Sequence, residues 1–574
     1  MEFAYRAPDG FQLPRTEVLR LMRSGRKVLP GKAGQRYLLD TAAIEAFENS
    51  LQDVSVELTA DGLRVPALHA AYLAGDAAPI ALTRTDNETI LSLLKPLSAE
   101  LRPYQLEGVA WLHALTRAGR GAILGDDMGL GKTLQSIALI VTLKQQNPSL
   151  GPVLIVCPKS LTGNWRQEFE RFAPGLKVAV SQGSQRQAVL AKRSEFDVVL
   201  TTYQLAINDR DPLASTDWGL IVLDEASFIR NPDTEAAKAL RSLRARARVA
   251  LTGTPVENSV RDLWSICHFV QPGYLGGREH FRERFEQPLA AGLDRPEAQS
   301  AADRLKRLVR PLFLRRTKRE VLRDLPDKIE QVLWCEPSPV QAEVYRRLLE
   351  EGMEEIRLAR RRGGQNGARM TLFTVLLRLR QACCDLRLTG LATERLAGLE
   401  ADDLSGKWPV LFERLDEIAA ADGKVLIFSQ FVQYLQLVRA ELERRCTAFA
   451  YLDGSSQDRE AQVQAFQTDP EKRVFLISLK AGGYGLNLTA ADHVILLDPW
   501  WNPAVEAQAI DRAHRIGQER VVTATRLALR GTVEERILAL QAKKRGLVEA
   551  ALDDQAPLMQ GLNDEDLEGL LEVS

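Results

Sequence analysis

Nine residues, Gly125-Asp126-Asp127-Met128-Gly129-Leu130-Gly131-Lys132-Thr133, join a short apolar run, Gly121–Leu124, to a long apolar stretch from Leu134. A strand, a glycine-rich loop and a helix start form the context in which a chain binds phosphate. Backbone N–H groups around Gly129–Lys132 can cradle the oxyanion at the helix N-terminus. In that geometry Lys132 would reach β- and γ-phosphates, and the Thr133 hydroxyl would coordinate Mg²⁺. The strict GxxxxGK[ST] spacing fails by one residue, because Asp126 stands where its first glycine belongs. A glycine-rich turn ahead of a core helix is the other reading. About ninety residues on, Leu220-Ile221-Val222-Leu223 ends in Asp224-Glu225-Ala226-Ser227. A carboxylate at a strand's carboxyl end can hold Mg²⁺, and a second beside it can position an attacking water. Alone, such a pair is an ordinary loop as often as a site; behind a Lys-Thr loop it completes one.

The elements that must position these groups are legible as two series of short β-branched apolar runs. The first is Gly121–Leu124, Val153–Cys157, Asp197–Leu200, Leu220–Leu223 and Arg248–Leu251; the second is Lys424–Phe428, Ala448–Leu452, Arg473–Ile477, His493–Leu497 and Val522–Leu527. Near-continuous apolar strands alternating with helical patterns predict parallel sheets covered on both faces, hence an α/β fold with two tandem lobes. Ligands of such sheets sit at the carboxyl ends of the strands. Between the series, from about Pro255 to Lys407, the chain reads as mostly helical, with a flexible basic turn at Arg360-Arg361-Arg362-Gly363-Gly364. Residues 1–96 read as a small mixed accessory module with helices near Arg15–Ser24 and Thr41–Leu51. Lobe 1 is placed at 97–335, lobe 2 at 336–550, each with a helical insertion, and an acidic amphipathic tail at 551–574. The opening Met1-Glu2-Phe3 could be a cloning junction, which would make the chain a fragment.

Composition narrows the class. At 574 residues, 45% hydrophobic and 26% charged, the chain has the balance of a globular protein with sizeable cores. The absence of a long uncharged apolar run or a signal layout argues for a cytoplasmic protein, off the membrane. Lys+Arg number 75 against 76 Asp+Glu, so any nucleic-acid contact must be a local patch. Arg304, Lys306, Arg307, Arg310, Arg315, Arg316, Lys318, Arg319 and Arg323 crowd into twenty positions. DNA-backbone or partner contact is one reading of that cluster, a solvated helix face the other. Cys157, Cys267, Cys335, Cys383, Cys384 and Cys446 form no CxxC pair and are expected as buried free thiols.

In order along about residues 97–550, these motifs resemble the superfamily 2 helicase-like ATPases and, within them, the Swi/Snf-type DNA translocases. Leu101–Leu112 looks like the adenine-recognition motif, Gly125–Thr133 motif I, Asp224–Ser227 motif II, and Leu251-Thr252-Gly253-Thr254-Pro255, followed by Val256-Glu257-Asn258, motif III. Leu426–Phe431, Asp453-Gly454-Ser455, Gly482–Leu488, Asp498-Pro499-Trp500-Trp501-Asn502-Pro503 and Gln508–Gln518 are similar to the second-lobe series. Ser227 departs from the histidine or glutamine of many relatives, so coupling from the ATP site to motif III is in doubt there. Cys384-Asp385 stands where eukaryotic relatives show Asn-His; with the chain's compactness, this suggests a bacterial or archaeal member.

The resemblance implies two RecA-like lobes, ATP and Mg²⁺ as cofactors, and an enzyme that hydrolyses ATP to move along double-stranded DNA without reading its sequence. It implies nucleotide contacts from Arg102, Gln105, Asp127, Met128, Gly129, Leu130, Gly131, Lys132, Thr133, Gly485 and Gln508, with Thr133 and Asp224 on the metal. Arg512 and Arg515, three apart and so expected on one helix face, are expected to reach the γ-phosphate when the lobes close. His514 reads as a packing or hydrogen-bonding residue. A DNA-facing track is expected from Lys159, Ser160, Asn164, Thr201, Thr202, Ser429, Gln430, Ser455, Ser478, Lys480, Asn487 and Trp501, small polar groups that contact phosphates. Each could equally be a turn or cap residue, and Trp501 a core aromatic. An unwinding helicase and a DNA-binding scaffold with a decayed ATP site are the alternatives; a monomer is expected, and the protein cargo is not named by the sequence.

Overall fold

The computed structural model describes residues 87–541 apart from 254–259, 291–294, 323–325, 392–397, 457, 480–485 and 501–502. Of the first 86 residues it describes 2–3, 5–6, 12–13, 15–24, 28–30, 36–54, 57–59, 62–65 and 69–73. Lys480, Gly485, Trp501, Arg323, the stretch from Thr254 to Asn258 and the acidic tail therefore lie outside the described residues. The contacts divide the chain into two compact units, the first mainly 1–126 and 132–315, the second mainly 127–131 and 316–549.

The first unit holds a seven-stranded sheet. Its strands in chain order are β1 (Ala122–Leu124), β2 (Val153–Cys157), β3 (Val178–Val180), β4 (Val198–Thr202), β5 (Leu220–Asp224), β6 (Arg248–Leu251) and β7 (Phe313–Leu314). They lie in the order β3-β4-β2-β5-β6-β1-β7, every pair parallel. The second unit holds six parallel strands: β8 (Lys328–Cys335), β9 (Val425–Ser429), β10 (Phe449–Leu452), β11 (Val474–Ser478), β12 (His493–Leu496) and β13 (Val522–Leu529). Their order is β8-β13-β12-β9-β11-β10. All residues of β2, β4, β5, β9 and β11 are buried, so helices cover both faces, as the continuous apolar runs require. Each buried Val, Leu or Ile contributes about 1.5–3 kcal/mol relative to exposure.

All ten expected runs are strands, with ends shifted by at most two residues. Three strands carry no such signal: β3 is short, β7 has two residues, and β8 (Lys-Ile-Glu-Gln-Val-Leu-Trp-Cys) is a mostly exposed edge. That last strand corrects the lobe boundary. Because β8 pairs along its whole length with β13, residues 316–335 belong with the second sheet, and the division falls at Arg315/Arg316 instead of 335/336.

The helical stretch Pro339–Cys384 has 46 residues; straight, it would be about 69 Å long. It instead folds back on itself: Gln341 Nε2 donates to the Ala382 carbonyl at 2.7 Å, and Arg378 pairs with Glu355 at 3.3 Å. The result is a helical hairpin whose reversal falls near the Arg-Arg-Arg-Gly-Gly stretch. Its Leu372, Val375, Leu376 and Leu379 pack in one core with Val425 and Ile427 of β9 and with Val533 and Ile537 of the helix at 533–541. Beneath this core Lys407 and Glu534, both fully buried, pair at 2.7 Å, and the lysine also donates to the Leu497 carbonyl.

The amino-terminal module docks on the first unit through Asp53, a buried carboxylate. It accepts from Tyr72 Oη at 2.6 Å, from Arg284 Nη2 at 2.7 Å and from Arg304 Nε at 2.9 Å. Arg307 lies over the Tyr72 ring, and His69 stacks on Tyr274. Part of the basic cluster is thus spent inside the protein: Arg304 holds the module, and Lys318 pairs with Asp511. For these two residues the DNA or partner reading is corrected; Arg307 is exposed beside Tyr72. Asp53→Ala would remove the carboxylate shared by two guanidinium groups, at an expected cost of about 3 kcal/mol, the low end for a broken buried pair, since Arg284 retains 23% exposure and both arginines keep a neutral acceptor. Urea unfolding followed by tryptophan fluorescence measures it; a loss below about 1 kcal/mol would show that the cluster is not what seats the module.

Five cysteines are buried and free, as expected; Cys446 is exposed, at the end of a surface helix in a left-handed turn. Among the described residues no helix is long and apolar enough to cross a membrane.

Candidate functional site

The phosphate loop leaves the sheet at β1, between β6 and β7, and enters the helix Lys132–Gln146. Gly129 and Gly131 have φ of +87° and +76°, a left-handed backbone that side chains disfavour. Asp126 keeps a negative φ, which explains why the missing first glycine is tolerated. Its carboxylate is buried and accepts from Gln135 Nε2 at 3.1 Å, stitching the loop to its helix. Lys132 Nζ donates to the Asp126 carbonyl at 2.6 Å, so the ammonium is held over the loop. The middle of the loop groups with the second unit. Asp127 donates from its N–H to the Arg316 carbonyl and accepts from the Lys318 N–H. A β-carbon at Gly129 would come within 2.9 Å of Arg515 Cγ.

Asp224 is the last residue of β5, so its side chain emerges at the strand's carboxyl end. One carboxylate oxygen accepts the Glu225 N–H at 3.0 Å, the other the Trp165 indole N–H at 2.8 Å. Burial pushes this carboxyl above its ordinary pKa, opposed by the Trp165 hydrogen bond and the Lys132 charge. Each oxygen keeps a second lone pair, and a divalent cation beside it would restore the charged form, so the donor set fits Mg²⁺. Glu225 has φ +53° and ψ +59°. A left-handed non-glycine residue costs roughly 1–3 kcal/mol and persists only where its surroundings hold it. The holder is Tyr203, whose hydroxyl donates to the carbonyl of Asp224 at 2.8 Å and reaches that of Glu225 at 3.2 Å, with its ring stacked on Phe228. Sequence reasoning missed Trp165 and Tyr203. The available signal was their position: each follows a strand-end segment already singled out, Trp165 next to Asn164 and Tyr203 next to Thr202.

Other predicted residues divide by what their polar atoms do. Gln105 is buried, and its Oε1 accepts the Arg102 N–H at 3.0 Å, capping the helix Pro103–Arg117. Lys159 is exposed, and Ser160 and Asn164 are half-buried, after β2. Thr201 and Thr202 end β4 and are buried; Thr202 Oγ1 accepts the Leu205 N–H, a helix cap in place of the expected phosphate contact. In the second unit Ser429 is fully buried, donates its hydroxyl to Asp498 and accepts from the Phe431 N–H. Its expected DNA contact is corrected to support from beneath. Ser455 turns its hydroxyl and N–H onto Asp453, a local turn. Ser478 is buried, Gln430 half-buried and Asn487 exposed.

Arg512 and Arg515 are not on a helix face. The helix Pro503–Ile510, which carries half-buried Gln508, ends before them. Past its end Arg512 N–H bonds to Ala509 and Ala513 N–H to Ile510, three residues back, which tightens the chain into turns ahead of Gly517. Arg512 is fully buried, whereas Arg515 is half-buried with Nε donating to the Asp511 carbonyl. His514 bonds through Nε2 to the Pro326 carbonyl at 2.8 Å, a hydrogen-bonding residue.

Comparison with known proteins places these features. The SNF2-related domain model matches residues 104–388, and the helicase conserved C-terminal domain model matches 410–517. YwqA of Bacillus subtilis, named as an ATP-dependent helicase/translocase, is 39% identical over 86% of this chain and 53% of its own length. The TATA-binding protein-associated factor MOT1 of Saccharomyces cerevisiae is 35% identical over 80% of this chain and 28% of its own. A solved Sulfolobus solfataricus SWI2/SNF2 ATPase core in complex with dsDNA is 36% identical, spanning 84% of this chain and 99% of that one, with a TM-score of 0.41. The chain spans about half the length of YwqA and little more than a quarter of MOT1. Since one model spans the phosphate loop and acid pair and the other the four strands β9–β12 of the second sheet with Arg512 and Arg515, the chain belongs to the Swi2/Snf2 family of helicase-like ATPases.

Proposed function

We propose that this chain is an ATP-driven motor that moves along double-stranded DNA without separating its strands and thereby displaces bound protein. The observation that carries the reading is the placement, at the carboxyl ends of two parallel strands separated by one other, of a glycine loop bearing Lys132 and of Asp224 with a strained Glu225. Lys132 and the N–H groups of Gly129–Lys132 bind the β- and γ-phosphates, while Arg102 and Gln105 serve the base. Asp224 and Thr133 hold Mg²⁺, which when bound neutralises phosphate charge. Glu225, aimed by Tyr203, orients the attacking water. Arg512 and Arg515 meet the charge that develops on the γ-phosphate. Lobe limits follow the two units, with 1–96 an accessory module; a monomer in the cytoplasm fits the reading.

DNA contact is assigned to Lys159 and Asn487, which are exposed, and to Ser160, Asn164 and Gln430, which are partly buried, with Lys480 and Trp501 by resemblance. The names of the relatives, a helicase/translocase and a TATA-binding protein-associated factor, support a motor working on DNA–protein complexes. An unwinding helicase shares the same site and is separated by a strand-displacement assay. Duplex DNA of any sequence is expected to raise ATP turnover. With two cationic contacts, Lys159 and Lys480, affinity should fall roughly tenfold between 50 and 200 mM salt. Stimulation indifferent to salt, or tied to one base sequence, would count against backbone tracking.

A further inference from the structure

A cavity of about 280 Å³ lies at the amino-terminal edge of the first unit's sheet, the end away from the phosphate loop and Asp224. On its walls Leu150 precedes β2, Gly219 leads into β5 and Ala247 into β6, and the rest comes from the ends of the helices Pro103–Arg117 and Lys132–Gln146. From Gly219 to Asp224 the extended chain covers about 16 Å, so a small molecule at one end of β5 does not reach the other. Arg117 and Arg246 line the cavity and are exposed, and no carboxylate lines it. Neither arginine has an ion-pair partner among the described residues. Two amides on the walls have their oxygens engaged. Gln146 Oε1 accepts from His113 Nε2 at 2.9 Å, and Asn147 Oδ1 accepts from the Ser149 N–H and hydroxyl. Each amide keeps its two N–H donors. Four carbonyls at the helix ends, which would otherwise repel an anion, are occupied: Ala114, Leu115 and Thr116 accept from Ala118, Arg120 and Gly119, and Leu143 accepts from Asn147.

We propose that this cavity is a second binding site, for a small organic anion: a phosphate monoester or a carboxylate whose charged head meets Arg117 and Arg246 and whose apolar body rests on Leu143, Leu150 and Ala247. A guanidinium fork matches either oxyanion through two parallel N–H···O bonds, and the amides of Gln146 and Asn147 supply further donors. Two cations on one cavity with no carboxylate between them disfavour each other, and a bound anion relieves both. The volume stands at the small end of the range for ligand pockets, about 300–1,000 Å³, which suits a single ring or a short chain as the body. The site does not depend on the motor reading.

Phenyl phosphate, benzoate and neutral benzyl alcohol are titrated into the full chain and followed by ligand-observed NMR, with Mg²⁺ and ADP present at saturation so that the phosphate loop is filled. At least one of the two anions is expected to bind with a Kd on the order of 1 mM, and the tighter of them names the head group. Benzyl alcohol should bind at least about tenfold more weakly, since it lacks the charge. Arg117→Ala and Arg246→Ala should each weaken the anion about tenfold, the worth of a charge-assisted hydrogen bond. Arg244→Ala removes an exposed arginine outside the cavity and should leave affinity within about twofold. All three substitutions are at exposed positions, so the variants are expected to melt with the parent. No binding by either anion at about ten times the expected Kd overturns the proposal, as does benzyl alcohol binding as tightly as the anions. Parent-like affinity in Arg117→Ala or Arg246→Ala also overturns it. So does an equal loss in Arg244→Ala, which would show diffuse attraction to a basic surface.

Discussion

Lys132→Ala should reduce ATP hydrolysis by at least about 10²–10³-fold, the range for losing one preorganised electrostatic group at a developing charge, and leave the fold intact. The ammonium donates to the Asp126 carbonyl in the loop, and the side chain is half-buried, so its loss opens no core cavity. A second consequence follows from Asp224. Burial already raises that carboxyl's pKa, and Lys132 is among the groups that oppose the rise. Removing the cation raises it further. A carboxyl with a raised pKa is a cost to the folded state at neutral pH that is relieved as pH falls through that pKa, so without ligand the variant should gain stability on mild acidification more than the parent does. In the other direction, binding of Mg²⁺ needs the carboxylate, so the acid limb of any residual activity should move to higher pH. Turnover with saturating duplex and thermal midpoints across pH measure both. A kcat within tenfold of the parent would mean that the loop is misassigned.

Legibility in the sequence tracked burial. Ten strands could be read because nearly all are sealed on both faces, the edge strand Phe449–Leu452 excepted, and such strands must be near-continuous in Val, Ile and Leu. Strand Lys328–Cys335 escaped because an edge need not be apolar, and missing it misplaced the boundary between the lobes. The phosphate loop was readable despite Asp126, since its chemistry lies in Gly129, Gly131 and Lys132 and only those glycines need a left-handed backbone. Side-chain roles at strand ends were less so. Ser429 and Gln430 are adjacent and both polar, yet one is fully buried on Asp498 and the other only partly buried; alternation along the backbone decides this, and residue type does not. The arginine cluster was ambiguous for a different reason. Its partner Asp53 lies some 250 residues away, in a module whose docking no local pattern announces.

Arg512→Ala and Arg515→Ala are each expected to cripple hydrolysis while sparing nucleotide affinity, but for partly different reasons. An arginine that meets transition-state charge supplies on the order of 10³–10⁵ in rate. The nucleotide itself is assigned to Gln105 and the Gly129–Thr133 loop, so its affinity should change only a few-fold. Arg515 is half-buried, and its side chain is what a β-carbon at Gly129 would meet; its alanine variant should lose kcat with little change in thermal midpoint. Arg512 is fully buried, and truncating it removes packing as well as charge, so Arg512→Ala should also melt earlier. Arg512→Lys separates the two effects, keeping charge and most of the stem while losing the planar fork. If that variant keeps its midpoint and loses kcat, Arg512 acts at the phosphate; if it recovers both, Arg512 is a core residue and Arg515 alone meets the charge. The measurement is ATP affinity, kcat with saturating duplex and thermal midpoint for all three. Survival of kcat within tenfold in both alanine variants, about 1.4 kcal/mol of barrier, would remove the arginines from the chemistry. Duplex DNA would then have to stimulate hydrolysis through the first lobe alone, by acting on Glu225 through the Thr202-Tyr203 strand end.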